Sequence, residues 1–178
     1  MTEKEYKKQT LDLLKKHKFE CWEEVWGKSF EGIKVRIDAI VKYPFKEDVF
    51  FGIEFKTYSE EKIYSLNYYM KHMKQAVDYS YSKWGKDKRR LFIFLAPNPF
   101  EVIGKKTSYC SGEVIKSDDY GILAHFLAQF NVGIVDELNR HGTSLILGGN
   151  AMHRIWSEEE GATSIGLKRN YNIKTGSQ

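Results

Sequence analysis

Hydrophobic and polar positions alternate with period two along two neighbouring stretches, residues 35–41 (VRIDAIV) and 49–57 (VFFGIEFKT). The alternation predicts two β-strands joined through Tyr43-Pro44-Phe45. On the first, Val35, Ile37, Ala39 and Val41 are expected on one face, with Arg36 and Asp38 on the other. On the second, Phe51, Ile53 and Phe55 oppose Gly52, Glu54 and Lys56. Two acids and a lysine thus interrupt the apolar pattern, each from one side of its strand. A turn centred near Phe45 or Lys46 sets Asp38 directly opposite Glu54, with Cβ atoms about 4.5–5.5 Å apart, or one diagonal step away at about 7–8 Å.

The rest of the chain supplies the elements around this pair. Residues 3–17 have a helical stripe of Tyr6, Leu11, Leu13 and Leu14, with Thr2 and Glu5 spaced as a capping box. Residues 19–26 read as a first strand whose glutamates break the alternation, as an edge or a bulge would. A helix over about 63–83 is expected to bury Leu66, Met70, Met73, Val77 and Tyr81. Tyr68, Lys71, His72, Gln75 and Tyr79 run along its flank. After a basic turn at 84–90, the run LFIFLA (91–96) reads as a central strand covered on both faces. Residues 101–116 are irregular. A helix capped by Asp118 or Asp119 is expected to reach Phe130 and to bury Leu123, Phe126, Leu127 and Phe130. Short strands follow at 132–135 and 145–147. Residues 150–178 fit a hairpin, a dimer arm or a tail equally well.

Composition narrows the class. The 178 residues are 42% hydrophobic and 15% aromatic, which predicts one folded domain, with a core at about 3–97 and an elaboration at 98–178. A net charge of +4 permits nucleic-acid binding without requiring it. The first ten residues lack the apolar stretch of a signal peptide, and the longest apolar run, 91–97, is too short to cross a bilayer. Cys21 and Cys110 are too few and too far apart for a disulfide framework or a zinc site, so a cytoplasmic setting is expected. His125 sits within an apolar helical stretch and reads as a core histidine, and His141 and His153 have no acid or cysteine at ligand spacing. No G-x-S-x-G elbow is present, which leaves a serine or cysteine hydrolase without support.

Two carboxylates brought this close repel each other unless a cation lies between them. Oxygen-only ligation suits Mg2+ or Mn2+. Lys56, on the same side of its strand as Glu54, would be an ammonium with a pKa open to depression by burial. Together these groups are equipment for metal-assisted phosphodiester hydrolysis.

Asp38 followed by Glu54-Phe55-Lys56 on the next strand resembles the motif of the PD-(D/E)XK nuclease superfamily. Gln75-Ala76-Val77-Asp78-Tyr79 resembles the QxxxY motif of its RecB-type branch. The resemblance covers roughly residues 5–97 and departs from the pattern in having Arg36-Ile37-Asp38 where the family has Pro-Asp. Glu5-Tyr6-Lys7 and Glu60-Glu61-Lys62 also match E-x-K, but only the Glu54 copy lies in an expected strand. The resemblance implies an α/β, restriction-endonuclease-like αβββαβ core, its mixed central sheet flanked by helices, with an extra C-terminal helix and short strands. It implies that Asp38, Glu54 and the Phe55 backbone carbonyl hold Mg2+ or Mn2+, with Glu3 as a further ligand. Lys56 would assist the attacking water and Gln75 would position substrate or lysine. Tyr79, Lys71, Lys74 and Arg36 would contact DNA.

The implied activity is that of a DNA endonuclease or exonuclease, of the kind found in repair, recombination, phages or mobile elements. Small size and a helix-first layout resemble junction resolvases, whereas the Gln/Tyr motif leans toward end-processing enzymes. A homodimer is left open. Two competing readings remain. In one, Asp38, Glu54 and Lys56 form a solvated hairpin face with one salt bridge. In the other, the chain is a non-catalytic nucleic-acid-binding or interaction module that retains the nuclease fold, with Lys56, Lys71, Lys74 and Arg89 neutralising phosphates where nucleic acid is bound.

Overall fold

The computed structural model describes residues 2–57, 66–99, 124, 126–137, 142–147 and 154–162. It is a mixed α/β fold. Helix α1 (Glu3–Lys16) starts at the expected capping box: the Thr2 hydroxyl accepts the Glu5 N–H at 3.2 Å, and the Glu5 carboxylate accepts the Thr2 N–H at 2.7 Å. It ends where Lys18 turns left-handed (φ 69°). Lys18 N–H bonds the Lys15 carbonyl and Phe19 N–H the Leu14 carbonyl, a Schellman closure that aims Phe19 at the core.

Strands β1 (Glu20–Lys28), β2 (Lys34–Lys42) and β3 (Phe50–Phe55) follow as an antiparallel meander. Helix α2 (Leu66–Ser80), the two-residue β4 (Lys83–Trp84) and β5 (Phe92–Ala96) come next, then β6 (Val132–Asp136), β7 (Ser144–Ile146), β8 (Arg154–Ser157) and β9 (Gly161–Ala162). They form a nine-stranded sheet in the order β4-β1-β2-β3-β5-β6-β7-β8-β9. β3, β5 and β6 are parallel, and every other pairing is antiparallel. Parallel neighbours need crossovers, and right-handed crossovers that step the same way along a sheet put their connections on one face. Accordingly α2 and the helical residues Ala124 and Leu127 share one apolar layer with Ile93, Leu95 and Ile134. Tyr6, Leu11 and Leu14 of α1 pack on the other face against Phe51, Ile53, Phe55 and Phe94. Being covered on both sides, β5 is apolar throughout.

Three expectations change. The buried stripe of α2 is Tyr69, His72, Met73, Ala76 and Ser80, whereas Met70 and Tyr81 are exposed. Both stripes have helical period; packing decides between them, and fully buried Ala76 lets the helix sit close to the sheet. Phe126 is also exposed, while Leu127 is buried as expected.

The third change concerns the Asp38 strand. Val35 and Ile37 pack in the α2 layer, while Ala39 and Val41 pack in the α1 layer. β1 switches the same way between Cys21 and Val25, across Glu24, whose φ is 54°. Past this point β3 stays with β5 and leaves β2, which continues paired with β1 alone, while the short β4 joins β1 only at Gly27 and Lys28. Gly52 makes room for the switch: a Cβ there would lie 2.3 Å from Ile37 Cδ1 and 2.8 Å from Ile93 Cδ1.

The last strands curl around α1. The Tyr43 hydroxyl donates to the Ile155 carbonyl at 3.1 Å, and Phe19 meets Trp156 edge to face at 5.2 Å. β8 and β9 form a hairpin, one of the readings open for this region. Residues 163–178, the stretch at 101–116, Asp118, Asp119, Leu123, His125, His141 and His153 lie outside the described residues. No helix among the described residues is long and apolar enough to cross a membrane.

Candidate functional site

The β2–β3 ladder runs from Lys42/Phe50 to Ala39/Ile53. One further step along this register would pair Asp38 directly with Glu54, but there the ladder opens into a fork. Asp38 Oδ2 replaces the missing backbone partner by accepting the Phe55 N–H at 2.8 Å. The N–H and C=O of a strand residue project toward the same edge, so the Phe55 carbonyl opens into this gap beside Asp38. Glu54 projects to the α2 side, level with Leu95 in the parallel β3–β5 ladder.

Glu54 is 3% exposed. Its Oε1 accepts from Lys56 Nζ at 3.1 Å and from Gln75 Nε2 at 2.7 Å. Its Oε2 is buried and makes no hydrogen bond among the described residues. Burial, then the charge of Asp38, push the Glu54 carboxyl up to about 7, against the pull of Lys56. Burial also raises Asp38, and the Phe55 N–H, Lys56 and Lys7 oppose it. Lys56 departs from expectation. Burial alone would lower it, but Glu54, Asp38 and Glu3 outweigh burial and leave its pKa raised. It is an ammonium at neutral pH and takes no proton from water.

Helix α2 carries the support. Gln75 Nε2 also donates to the Tyr79 hydroxyl at 2.9 Å, and that hydroxyl donates to the Arg36 carbonyl at 2.9 Å. Residues four apart on a helix share a face, so this Gln-Tyr pair ties α2 to Glu54 and to β2 together. His72, one turn earlier, is buried. Burial and then Lys56 push its pKa down to about 3, against a hydrogen bond to the Glu54 backbone. It is a neutral packing residue.

Glu3 reaches the same end of β3, but its Oε2 accepts the Thr57 N–H at 3.1 Å and lies 3.4 Å from the Thr57 hydroxyl. It therefore secures the exit of β3. Lys71 and Lys74 are exposed, and they line a groove of about 490 Å3 with Gln75 and Tyr79; Lys74 pairs with Asp78. The Arg36 side chain turns to Glu24 at 2.9 Å. Two contributors had no sequence signal. Lys7 lies 2.5 Å from Glu24 and acts on the charge of Asp38, yet it is one lysine among several on α1. The bond from His72 to the Glu54 backbone depends on how α2 is rotated.

Among the described residues no group of three or more His, Cys, Asp and Glu side chains gathers to hold a metal. The available donors are two carboxylates and one carbonyl, all oxygen, as hard divalent ions prefer. The unpartnered Glu54 Oε2 and the raised pKa of its carboxyl are what a cation between Asp38 and Glu54 would relieve. The residues fit such an ion if water or substrate completes its coordination. No family model matches the chain, and no curated protein or solved structure shows significant similarity to it.

Proposed function

We propose that the chain is a divalent-metal-dependent nuclease of the PD-(D/E)XK type, with a restriction-endonuclease-like core and DNA as substrate. The observation that carries this reading is the buried Glu54 carboxylate, one oxygen held by Lys56 and Gln75 and the other with no hydrogen bond of normal length among the described residues, at a fork beside Asp38. A solvated hairpin face would not bury this group or raise its pKa. Asp38, Glu54 and the Phe55 carbonyl would hold Mg2+ or Mn2+, which supplies Lewis acidity to a water and a phosphate oxygen.

Hydrolysis adds water to phosphorus and breaks the P–O bond to the leaving nucleoside oxygen, which takes up a proton. Lys56, held as an ammonium, orients the attacking water and offsets charge on the non-bridging oxygens. Gln75 fixes the Glu54 oxygen that Lys56 shares, and Tyr79 fixes Gln75. The test is cleavage of labelled linear, circular and branched DNA with Mn2+. Cleavage should vanish in EDTA and in Asp38→Ala, Glu54→Ala and Lys56→Ala. Full activity in the three variants overturns the proposal, as does folded wild-type protein that cuts none of the panel.

A further inference from the structure

A second groove, of about 700 Å3, lies between the β1–β2 turn and the β4 turn, and it is lined by Lys28, Lys34, Lys83, Lys86, Lys88 and Arg90. No acid lines it. None of these six cations forms an ion pair among the described residues, whereas Lys7, Lys8, Lys42 and Lys74 elsewhere are neutralised by carboxylates. Three aromatic side chains stand among them. Phe30 is 72% exposed, Trp26 52% and Tyr81 40%. Lys34 lies over the Trp26 ring at 4.1 Å, and Arg90 lies beside the Tyr81 ring at 5.9 Å. Large apolar rings left in water cost hydration free energy, and here they share a surface with unpaired positive charge.

Ser29 and Phe30 line both this groove and the one containing Lys71, Gln75 and Tyr79. The two therefore adjoin at these residues, and the second reaches Gln75, whose amide donates to Glu54.

We infer that this groove binds a single-stranded stretch of nucleic acid and leads it toward the Glu54 site. Cations tracking a backbone, interleaved with rings on which bases stack, are how single strands are held without base reading. A duplex keeps its bases stacked on each other and offers the rings nothing but sugar and phosphate. An acidic peptide would satisfy the charge but leave Phe30 and Tyr81 unused. In a nuclease, the groove would favour ends, flaps or branched DNA over intact duplex. That substrate preference rests on the nuclease reading; binding itself does not.

The test is fluorescence anisotropy in EDTA with a labelled 16-nucleotide single strand, the matching duplex, poly-glutamate and vesicles rich in anionic lipid. Glu54→Gln protein serves in parallel, so that binding is read apart from cleavage. The single strand should bind tightest. Its log affinity should fall against log salt with a slope of about −4 if six phosphates are neutralised. Phe30→Ala and Tyr81→Ala, both at exposed positions, should each weaken single-strand binding about 5- to 150-fold and change duplex binding little. Lys88→Ala with Arg90→Ala should flatten the salt slope.

Equal affinity for single strand and duplex overturns the inference, as does preference for poly-glutamate or vesicles. Wild-type binding by folded Phe30→Ala and Tyr81→Ala proteins does the same. Single-strand binding without any cleavage in Mn2+ sustains it while removing the nuclease proposal. Cleavage that ignores Phe30, Tyr81, Lys88 and Arg90 removes the groove and leaves the nuclease.

Discussion

Replacing Glu54 by glutamine should stabilise the protein at alkaline pH, against the usual effect of altering a fully buried polar residue. The Glu54 carboxyl has an ordinary value of 4.5 and is pushed up to about 7 in the fold, by burial and then by Asp38. The folded chain therefore keeps this proton after the unfolded chain has released it. Stability falls as pH rises from 4.5 to about 7 and is level above that. At about 1.4 kcal/mol per pH unit, the ionised carboxylate destabilises the fold by about 3 kcal/mol at pH 8. Glutamine matches the protonated acid in shape and cannot ionise.

Urea denaturation in EDTA at pH 5, 6.5 and 8 should show the variant close to wild type at pH 5 and up to about 3 kcal/mol more stable at pH 8. His72 acts in the opposite direction. Its folded pKa of about 3 lies below the ordinary 6.5, so stability from this group is lost as pH falls below 6.5. That contribution is common to both proteins and cancels in their difference. Mn2+ at pH 8 should then raise the stability of wild type well above its effect on the variant, since a bound ion stabilises by mass action. Parallel stability curves for the two proteins, or a glutamine variant less stable at pH 8, would refute the reasoning.

Two further outcomes follow from the packing. Gly52→Ala should destabilise by about 1–3 kcal/mol, because Ile37 and Ile93, both fully buried, have no space in which to retreat from a Cβ; an unchanged urea midpoint would count against the fork geometry. Tyr79→Phe removes the hydroxyl that accepts from Gln75 and donates to the Arg36 carbonyl, and should cost about 1 kcal/mol of stability. On the nuclease reading proposed above, it should also lower kcat for DNA cleavage with little change in KM, so wild-type kcat would show that Gln75 needs no anchor.

Much of the frame was legible in the sequence because its causes are local. The capping box at Thr2 and Glu5 needs only four consecutive residues. The alternation in β3 reports one strand lying between two layers, and the unbroken LFIFLA run reports parallel neighbours with covered faces. Asp38, Glu54 and Lys56 could be nominated because each interrupts such a pattern, and Gln75 and Tyr79 because their spacing resembles the QxxxY motif. Where a pattern allowed two answers, as with the stripe of α2, the choice belonged to packing.

What only the tertiary structure decided depends on contacts between residues far apart in the chain. The fork at Asp38 exists because β3 leaves β2 after Ile53 to follow β5 while β2 stays with β1, helped by Glu24 and by the space at Gly52. The Gln75–Glu54 bond joins residues 21 apart, and the sign of the Lys56 pKa depends on carboxylates from three elements outweighing burial. The basic aromatic groove assembles Lys28 and Phe30 with Tyr81 and Arg90, across more than 50 residues of chain. Pattern reads which side chain interrupts an element; charge balance, burial and proximity arise only when elements meet.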